Sequence, residues 1–467
     1  MPKLLSAIRL KKYFPVGKQS FWKEKKFLRA NDGVSIEIEN GETFGLVGES
    51  GCGKSTLGRV ILQLLPPTGG SATYYGRSRS ELAPRYEGEI LKNAERYRAA
   101  YRERDPSQPF TDELLSAARV LGGFLATTDG ESLRLFKKRY EANRLKKKTN
   151  DEETKKRLNA YLDGLNAEIL ILKKSFSDSQ EFRECEEHFD EGVDLARLTP
   201  SEMRFLRTDL QIVFQDPYSS LNPRMTVGQL IEEGVATHGY YKKGSPQMRK
   251  YVLEVMKNCG LQEYAYYRYP HQFSGGQRQR VCIARALAVK PRFIVCDECV
   301  SALDVSIQSQ ILNLLSDLKK KEGLTYLFIS HDLSVVRHVS DKIAVMYLGK
   351  IVETGEAEEV FQNARHPYTI ALLSAAPDLE DGERERILLD GNLPSPVSPP
   401  SGCPFHTRCF MAQECCKRGE VPMIEIEKGH KVACHFAEKT KAEKEEIYRK
   451  NRGAEESASE KKEKTGQ

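Results

Sequence analysis

The chain has 467 residues, of which 39% are hydrophobic and 30% charged, with a formal net charge of +6. Mean hydropathy is -0.53, and no stretch approaches the roughly 18 consecutive apolar residues of a membrane span. The N-terminus, Met1-Pro2-Lys3-Leu4-Leu5-Ser6, lacks the apolar core of a signal peptide. The mild charge, with Lys-rich stretches interleaved with Glu, gives non-specific nucleic-acid binding little support. Length suggests about three domains.

In chain order, residues 1–76 read as strands that end in a glycine-rich loop and a helix. Val34 to Ile38 alternates as a strand, Asn40-Gly41 turns, and Thr43 to Val47 is a short buried strand. Gly48-Glu49-Ser50-Gly51-Cys52-Gly53-Lys54-Ser55-Thr56 follows. Thr56 to Leu65 then carries apolar residues at helical spacing until Pro66-Pro67. Residues 77–192 are rich in Lys, Glu and Arg. Their apolar residues fall at steps of three and four: Leu133, Phe136 and Tyr140, then Leu158, Leu162, Leu165, Ile169 and Leu172. That spacing predicts amphipathic helices, an inserted helical subdomain in place of an improbably long structureless loop.

Beyond Val193 strands alternate with helices, as in a mainly parallel α/β sheet. Strands are expected at Leu210–Phe214, Phe293–Cys296 and Leu324–Ile329. Helices are expected at Gln229–Thr237, Gln247–Cys259, Gly275–Val289 and Ile307–Glu322. Residues 391–401 are Pro/Ser-rich and read as a linker. The part after Lys439 is charged, low in apolar residues and reads as a disordered tail.

Gly48-x4-Gly53-Lys54-Ser55, between a strand and a helix, matches the P-loop pattern. Its glycines turn backbone N–H groups toward the β- and γ-phosphates of ATP, and the helix N-terminus adds its positive end. Lys54 would neutralise phosphate charge and Ser55 would hold Mg²⁺. Asp297, closing an apolar strand, is the second Mg²⁺-handling carboxylate. Glu298 is the candidate for polarising the attacking water, and His331, after another buried strand, is placed to sense the γ-phosphate.

The ordered set is that of ABC ATPases, which this chain resembles over residues 1–76 and 193–437. Gly48 to Ser55, Gln215 in Val213-Phe214-Gln215-Asp216-Pro217, Phe273-Ser274-Gly275-Gly276-Gln277, Phe293 to Glu298, Ser301 to Asp304 and His331 match, in order, Walker A, Q-loop, signature, Walker B, D-loop and switch histidine. The resemblance implies a P-loop NTPase core with an antiparallel β subdomain and a helical signature subdomain. It assigns nucleotide binding to Phe14, Gly48, Ser50, Gly51, Gly53, Lys54, Ser55 and Thr56. It assigns Ser274, Gly275, Gly276, Gln277 and Asp304 of this chain to the ATP held by a second, facing ATPase subunit, a paralogue or a copy. It assigns catalysis to Glu298, His331 and Gln215, and Mg²⁺ to Ser55, Gln215 and Asp297.

Local strings resemble the F-type ATP-binding subunit of dipeptide and oligopeptide importers: Lys12-Tyr13-Phe14-Pro15, Gln215 to Met225, Tyr269-Pro270-His271-Gln272, His366-Pro367-Tyr368-Thr369 and Gly402-Cys403-Pro404-Phe405-His406. Two departures are Phe273 in place of the signature Leu and Cys299 in place of the usual Pro after Glu298. The resemblance implies a peripheral subunit on the cytoplasmic face of the cell membrane, bound to permease subunits and served indirectly by an extracytoplasmic solute-binding protein, with no nucleic-acid partner. A nickel or other small-solute importer, or a soluble DNA-associated ABC ATPase, are the competing readings.

Cys403, Cys409, Cys416 and Cys434 crowd a C-terminal lobe over 391–438. Their spacing lacks the close ligand pairs of structural zinc, whereas four thiolates are what an iron–sulfur cluster needs. By resemblance a [4Fe-4S] cluster is expected, with Zn²⁺, joined by His406 or His435, and free thiols as alternatives.

Overall fold

The computed structural model describes residues 2–17, 25–375, 386–389 and 391–452. The strands in chain order are β1 (Lys3–Val16), β2 (Lys26–Glu39), β3 (Thr43–Val47), β4 (Gly69–Tyr74), β5 (Val193–Asp194), β6 (Leu210–Val213), β7 (Phe293–Asp297), β8 (Thr325–Ile329), β9 (Lys342–Tyr347), β10 (Lys350–Glu356), β11 (Ile424–Glu427) and β12 (His430–Val432). They divide with the helices into two compact units, one drawn from Met1–Pro2, Ile8–Thr68 and Thr208–Gln467, the other from Lys3–Ala7 and Gly69–Arg207.

The first unit is built on an eight-stranded sheet in the order β11-β12-β10-β9-β3-β8-β7-β6. From β9 to β6 every neighbour is parallel. Every residue of β3, β7 and β8 is buried, which is why these segments read as continuous apolar runs instead of alternating ones. The other end is antiparallel: β10 returns along β9, and the hairpin β11–β12 extends the sheet from the C-terminal region. Register aligns the carboxyl ends of the parallel strands. Leu46 and Asp297 both pair with Ile329, and Val213 pairs with Cys296. The segments leaving β3, β6, β7 and β8 therefore emerge along one edge, where parallel α/β sheets bind ligands.

Helices Val227–Thr237, Pro246–Asn258 and Gly275–Leu287 share one apolar core with the sheet, through Ile231, Val252, Met256, Val281 and Ile294. The helix after β3 spans Lys54–Ile61 and stops short of the expected Leu65, because Gln63 adopts a positive φ of 54°. Residues 441–452, expected to be disordered, are helical. Composition misleads there because few residues anchor the helix. Lys444 is fully buried with its ammonium on the Arg365 carbonyl, and Tyr448 packs on Phe410 with ring centroids 5.5 Å apart.

The second unit pairs β4 antiparallel with β5 and carries a helical array that includes Arg85–Lys92, Asp112–Leu121, Gly130–Lys148 and Glu152–Ser175. Thr111, Asp129 and Asp151 cap three of these helices by accepting backbone N–H groups of the first turn. Of the predicted apolar stripe, Leu133, Phe136, Tyr140, Leu165 and Ile169 form a core with Phe124 and Phe182, Leu172 packs against it partly buried, and Leu158 is only half-buried. Charge is also buried: Arg98 is 1% exposed and donates to the Phe124 carbonyl and Ser132 Oγ. No helix among the described residues is long and apolar enough to cross a membrane.

Candidate functional site

The loop leaving β3 is shaped by close backbone approaches that only glycine permits. At Gly48, with φ 150°, a Cβ would lie 2.2 Å from the Met346 carbonyl. At Gly53, with φ 107°, it would lie 2.0 Å from the Ala30 carbonyl. Gly53 occupies the N-cap of helix Lys54–Ile61 and contributes no side-chain cap, so the first-turn N–H groups are available to an anion. Lys54 is buried and its ammonium donates to the carbonyls of Gly48 (2.8 Å) and Glu49 (3.0 Å). Asn31 Nδ2 donates to the Gly53 carbonyl at 3.1 Å, and the Gly349 amide donates to that of Cys52 at 2.9 Å.

Asp297 closes β7 with 1% exposure. Neither of its carboxylate oxygens has a hydrogen-bond partner among the described residues; the nearest cation is Arg59 Nη2, at 3.5 Å. A desolvated carboxylate in this condition is suited to a divalent cation. Mg²⁺ held by one carboxylate, the Ser55 hydroxyl and phosphate oxygens fits the residues present.

Glu298 follows in the left-handed region, with φ 48°, a conformation that non-glycine residues keep at functional turns. Its amide donates to the Ile329 carbonyl at 3.0 Å. One carboxylate oxygen, Oε2, accepts from Gln215 Nε2 at 2.9 Å and lies 3.2 Å from His331 Nδ1. Residues from the ends of β6, β7 and β8 thus meet on a single oxygen. The chain brings Gln215, Glu298 and His331 together.

The signature residues stand elsewhere on the surface. Ser274 and Gln277 form a reciprocal capping box at the start of helix Gly275–Leu287. Gly275 lies against Leu303, where a Cβ would be 3.3 Å from Cδ2, and Gly276 against Ile307, at 2.4 Å from Cγ2. Ser274, Gly275 and Asp304 are exposed. Their grouping with Leu303 joins signature to D-loop, facing solvent. Phe14 is half-buried, with the Lys12 ammonium 5.0 Å from its ring centroid.

The expectation for the C-terminal cysteines is overturned. Cys403, Cys409, Cys416 and Cys434 do border one small cavity with Phe405 and Met411. Yet no group of three or more His, Cys, Asp or Glu among the described residues is arranged to hold a metal ion. Neither a [4Fe-4S] cluster nor Zn²⁺ is supported, and the cysteines are free. Burial pushes the Cys403 thiol up to about 11 and that of Cys409 up to about 12. His406 is occupied locally, its Nδ1 2.9 Å from the Cys403 carbonyl.

Sequence reasoning passed over Glu49, Tyr368 and Arg408. The Arg408 guanidinium reaches both Glu49 oxygens, at 2.9 and 3.1 Å, and the Glu49 amide donates to the Tyr368 hydroxyl at 2.9 Å. Arg408 and Glu49 are 359 residues apart, and no local pattern announces the pair.

Comparison with known proteins identifies the family. The "ABC transporter" family model matches residues 31–167 and 172–301, and that of "Oligopeptide/dipeptide transporter, C-terminal region" matches 352–416. The putative oligopeptide transport ATP-binding protein YkfD of Bacillus subtilis is 38% identical over 437 residues, covering 93% of this chain and 95% of that protein. The dipeptide transport ATP-binding protein DppF of Escherichia coli is 37% identical over 432 residues (92% and 93%), and the oligopeptide transport ATP-binding protein OppF of the same organism 37% over 438 (92% and 95%). The chain belongs to the ABC-transporter ATP-binding subunits, in the oligopeptide/dipeptide family and of F type.

Proposed function

We propose that the chain is the ATP-hydrolysing subunit that energises a di- or oligopeptide importer from the cytoplasmic face of the cell membrane. The observation that carries this reading is the convergence of Gln215 and His331 on one oxygen of Glu298, at the edge where the phosphate loop emerges.

In this reading the loop amides and Lys54 bind the β- and γ-phosphates, and Phe14 stacks on adenine. Glu298 takes the proton from the water that attacks the γ-phosphorus. Gln215 and His331 fix the carboxylate's orientation, which matters because proton transfer demands hydrogen-bond reach in the reacting geometry. Ser55, Asp297 and Gln215 would hold Mg²⁺, which supplies neutralisation of phosphate charge when bound. Ser274, Gly275, Gly276, Gln277 and Asp304 complete the ATP site of a second, paralogous ATPase subunit. The exposed Gly275 at the start of that helix offers a backbone amide suited to a γ-phosphate presented from across an interface. Gln215 also leads into Asp216 to Met225, the segment that would pass nucleotide-driven closure to the permease. A solute-binding protein outside the membrane would deliver the peptide.

The test is co-purification from membranes followed by hydrolysis measurements. The chain is expected to isolate with permease subunits and a paralogous ATPase, and the complex to hydrolyse MgATP faster when peptide-loaded binding protein is added. A chain that isolates without permease, with hydrolysis stimulated by DNA in a salt-dependent way, would overturn the reading.

A further inference from the structure

The outer side of the phosphate loop is held by residues far beyond the ATPase motifs. Glu49, next after Gly48, is bound through its amide by Tyr368 and through both carboxylate oxygens by Arg408. The Arg408 side chain is only 9% exposed, against 26% for Glu49. Arg408 is itself fixed from below. Its guanidinium stands 6.0 Å from the Tyr347 ring centroid. Tyr347, Tyr368 and Phe405 form a closed aromatic triad with centroids 4.7 to 5.3 Å apart. Tyr347 ends β9, the direct neighbour of β3, so the triad and the loop rest on adjacent strands. The segment carrying Arg408 is pinned by the Cys403 amide on the Cys416 carbonyl at 2.9 Å, and by the Arg408 amide on that of Phe405 at 3.0 Å.

A carboxylate inside a loop that cradles a polyphosphate opposes the ligand's charge. The opposing term is large at partial burial unless a cation offsets it. Arg408 is that cation. We propose that Arg408 and Tyr368 of the C-terminal region are positioning residues for nucleotide binding: Arg408 cancels the Glu49 charge, and both hold the start of the phosphate loop so that its amides face the phosphates. The C-terminal extension is thus a brace on the ATP site. The proposal rests on the ATP-binding reading above. Neither residue touches the reacting atoms, so the effect falls on nucleotide affinity and spares the chemical step.

The experiment uses the full chain in complex with its partner subunits, measuring KM for ATP and kcat. Arg408→Met is expected to raise KM about tenfold, the scale of one lost charge-assisted hydrogen-bonded pair, with kcat held within about twofold. Arg408→Lys keeps the charge and should stay within about threefold of the parent KM, and Tyr368→Phe should raise KM about threefold. The double variant Glu49→Gln with Arg408→Met carries the same lesion in the lobe but no uncompensated charge, and should recover the part of the affinity lost to that charge, with the part lost to the missing Arg408 hold remaining. A KM unchanged in Arg408→Met, a double variant as weak as that single one, or a fall in kcat with KM constant would overturn the proposal. A parent complex that hydrolyses no ATP would instead refute the functional reading.

Discussion

Replacing Glu298 with Gln exchanges one oxygen for an amide nitrogen and leaves the shape of the side chain unchanged. In the parent structure Oε2 accepts from Gln215 at 2.9 Å and lies 3.2 Å from His331 Nδ1. The amide oxygen of the introduced glutamine can occupy that place and keep both contacts, while its NH2 group takes the position of Oε1. The backbone strain at φ 48° is common to both residues. What disappears is basicity. Loss of a positioned general base costs about 10²–10⁴ in rate, equivalent to roughly 3–5 kcal/mol of barrier. Phosphate release by the assembled complex, followed continuously at saturating MgATP, should fall by that factor, with ATP affinity within about twofold and the thermal midpoint unchanged. The arrested enzyme should accumulate as an ATP-bound dimer of ATPase subunits on size exclusion. Turnover within about threefold of the parent would remove Glu298 from the role of base.

The exposed signature loop gives a second expectation: if, as proposed, Ser274 serves a nucleotide held by the other subunit, Ser274→Arg should leave ATP binding to the isolated chain intact and abolish hydrolysis in the complex. Unimpaired hydrolysis would mean that each chain completes its own site. Stability of the second unit should depend on Asp194, whose carboxyl burial pushes up from 3.8 to about 6. The folded state then favours the protonated acid, so its contribution is present below about pH 4 and lost as pH rises through 6. Asp194→Asn should therefore stabilise at pH 7.5, by up to roughly 3 kcal/mol, with the gain vanishing by pH 4. Denaturant unfolding at both pH values checks this, and an equal effect at the two would refute it.

The features legible in the sequence are those whose chemistry is written locally. The phosphate loop declares itself because Gly48 and Gly53 sit where a Cβ would strike a backbone carbonyl, a demand that fixes residue type at fixed spacing. The central strands declare themselves because β3, β7 and β8 are wholly buried. Gln215 and His331 are different: a lone Gln or His after a strand has no local signature, and only the ordered motif set placed them beside Glu298. The brace on Glu49 was invisible, since its partners come from opposite ends of the chain. The cysteines misled in the opposite sense, because spacing alone says nothing about whether thiols converge on a metal or line an apolar cavity. The helix at 441–452 was hidden by its charge, which masks the burial of Lys444 and Tyr448.

The most direct test is uptake of a labelled oligopeptide into proteoliposomes that carry the permease, both ATPase subunits and the binding protein. ATP enclosed on the nucleotide side should drive accumulation, and complexes containing Glu298→Gln should bind peptide and ATP yet accumulate none. Accumulation that persists with Glu298→Gln, or ATP hydrolysis by the parent complex with no peptide movement, would contradict the assignment of this chain as the energising subunit.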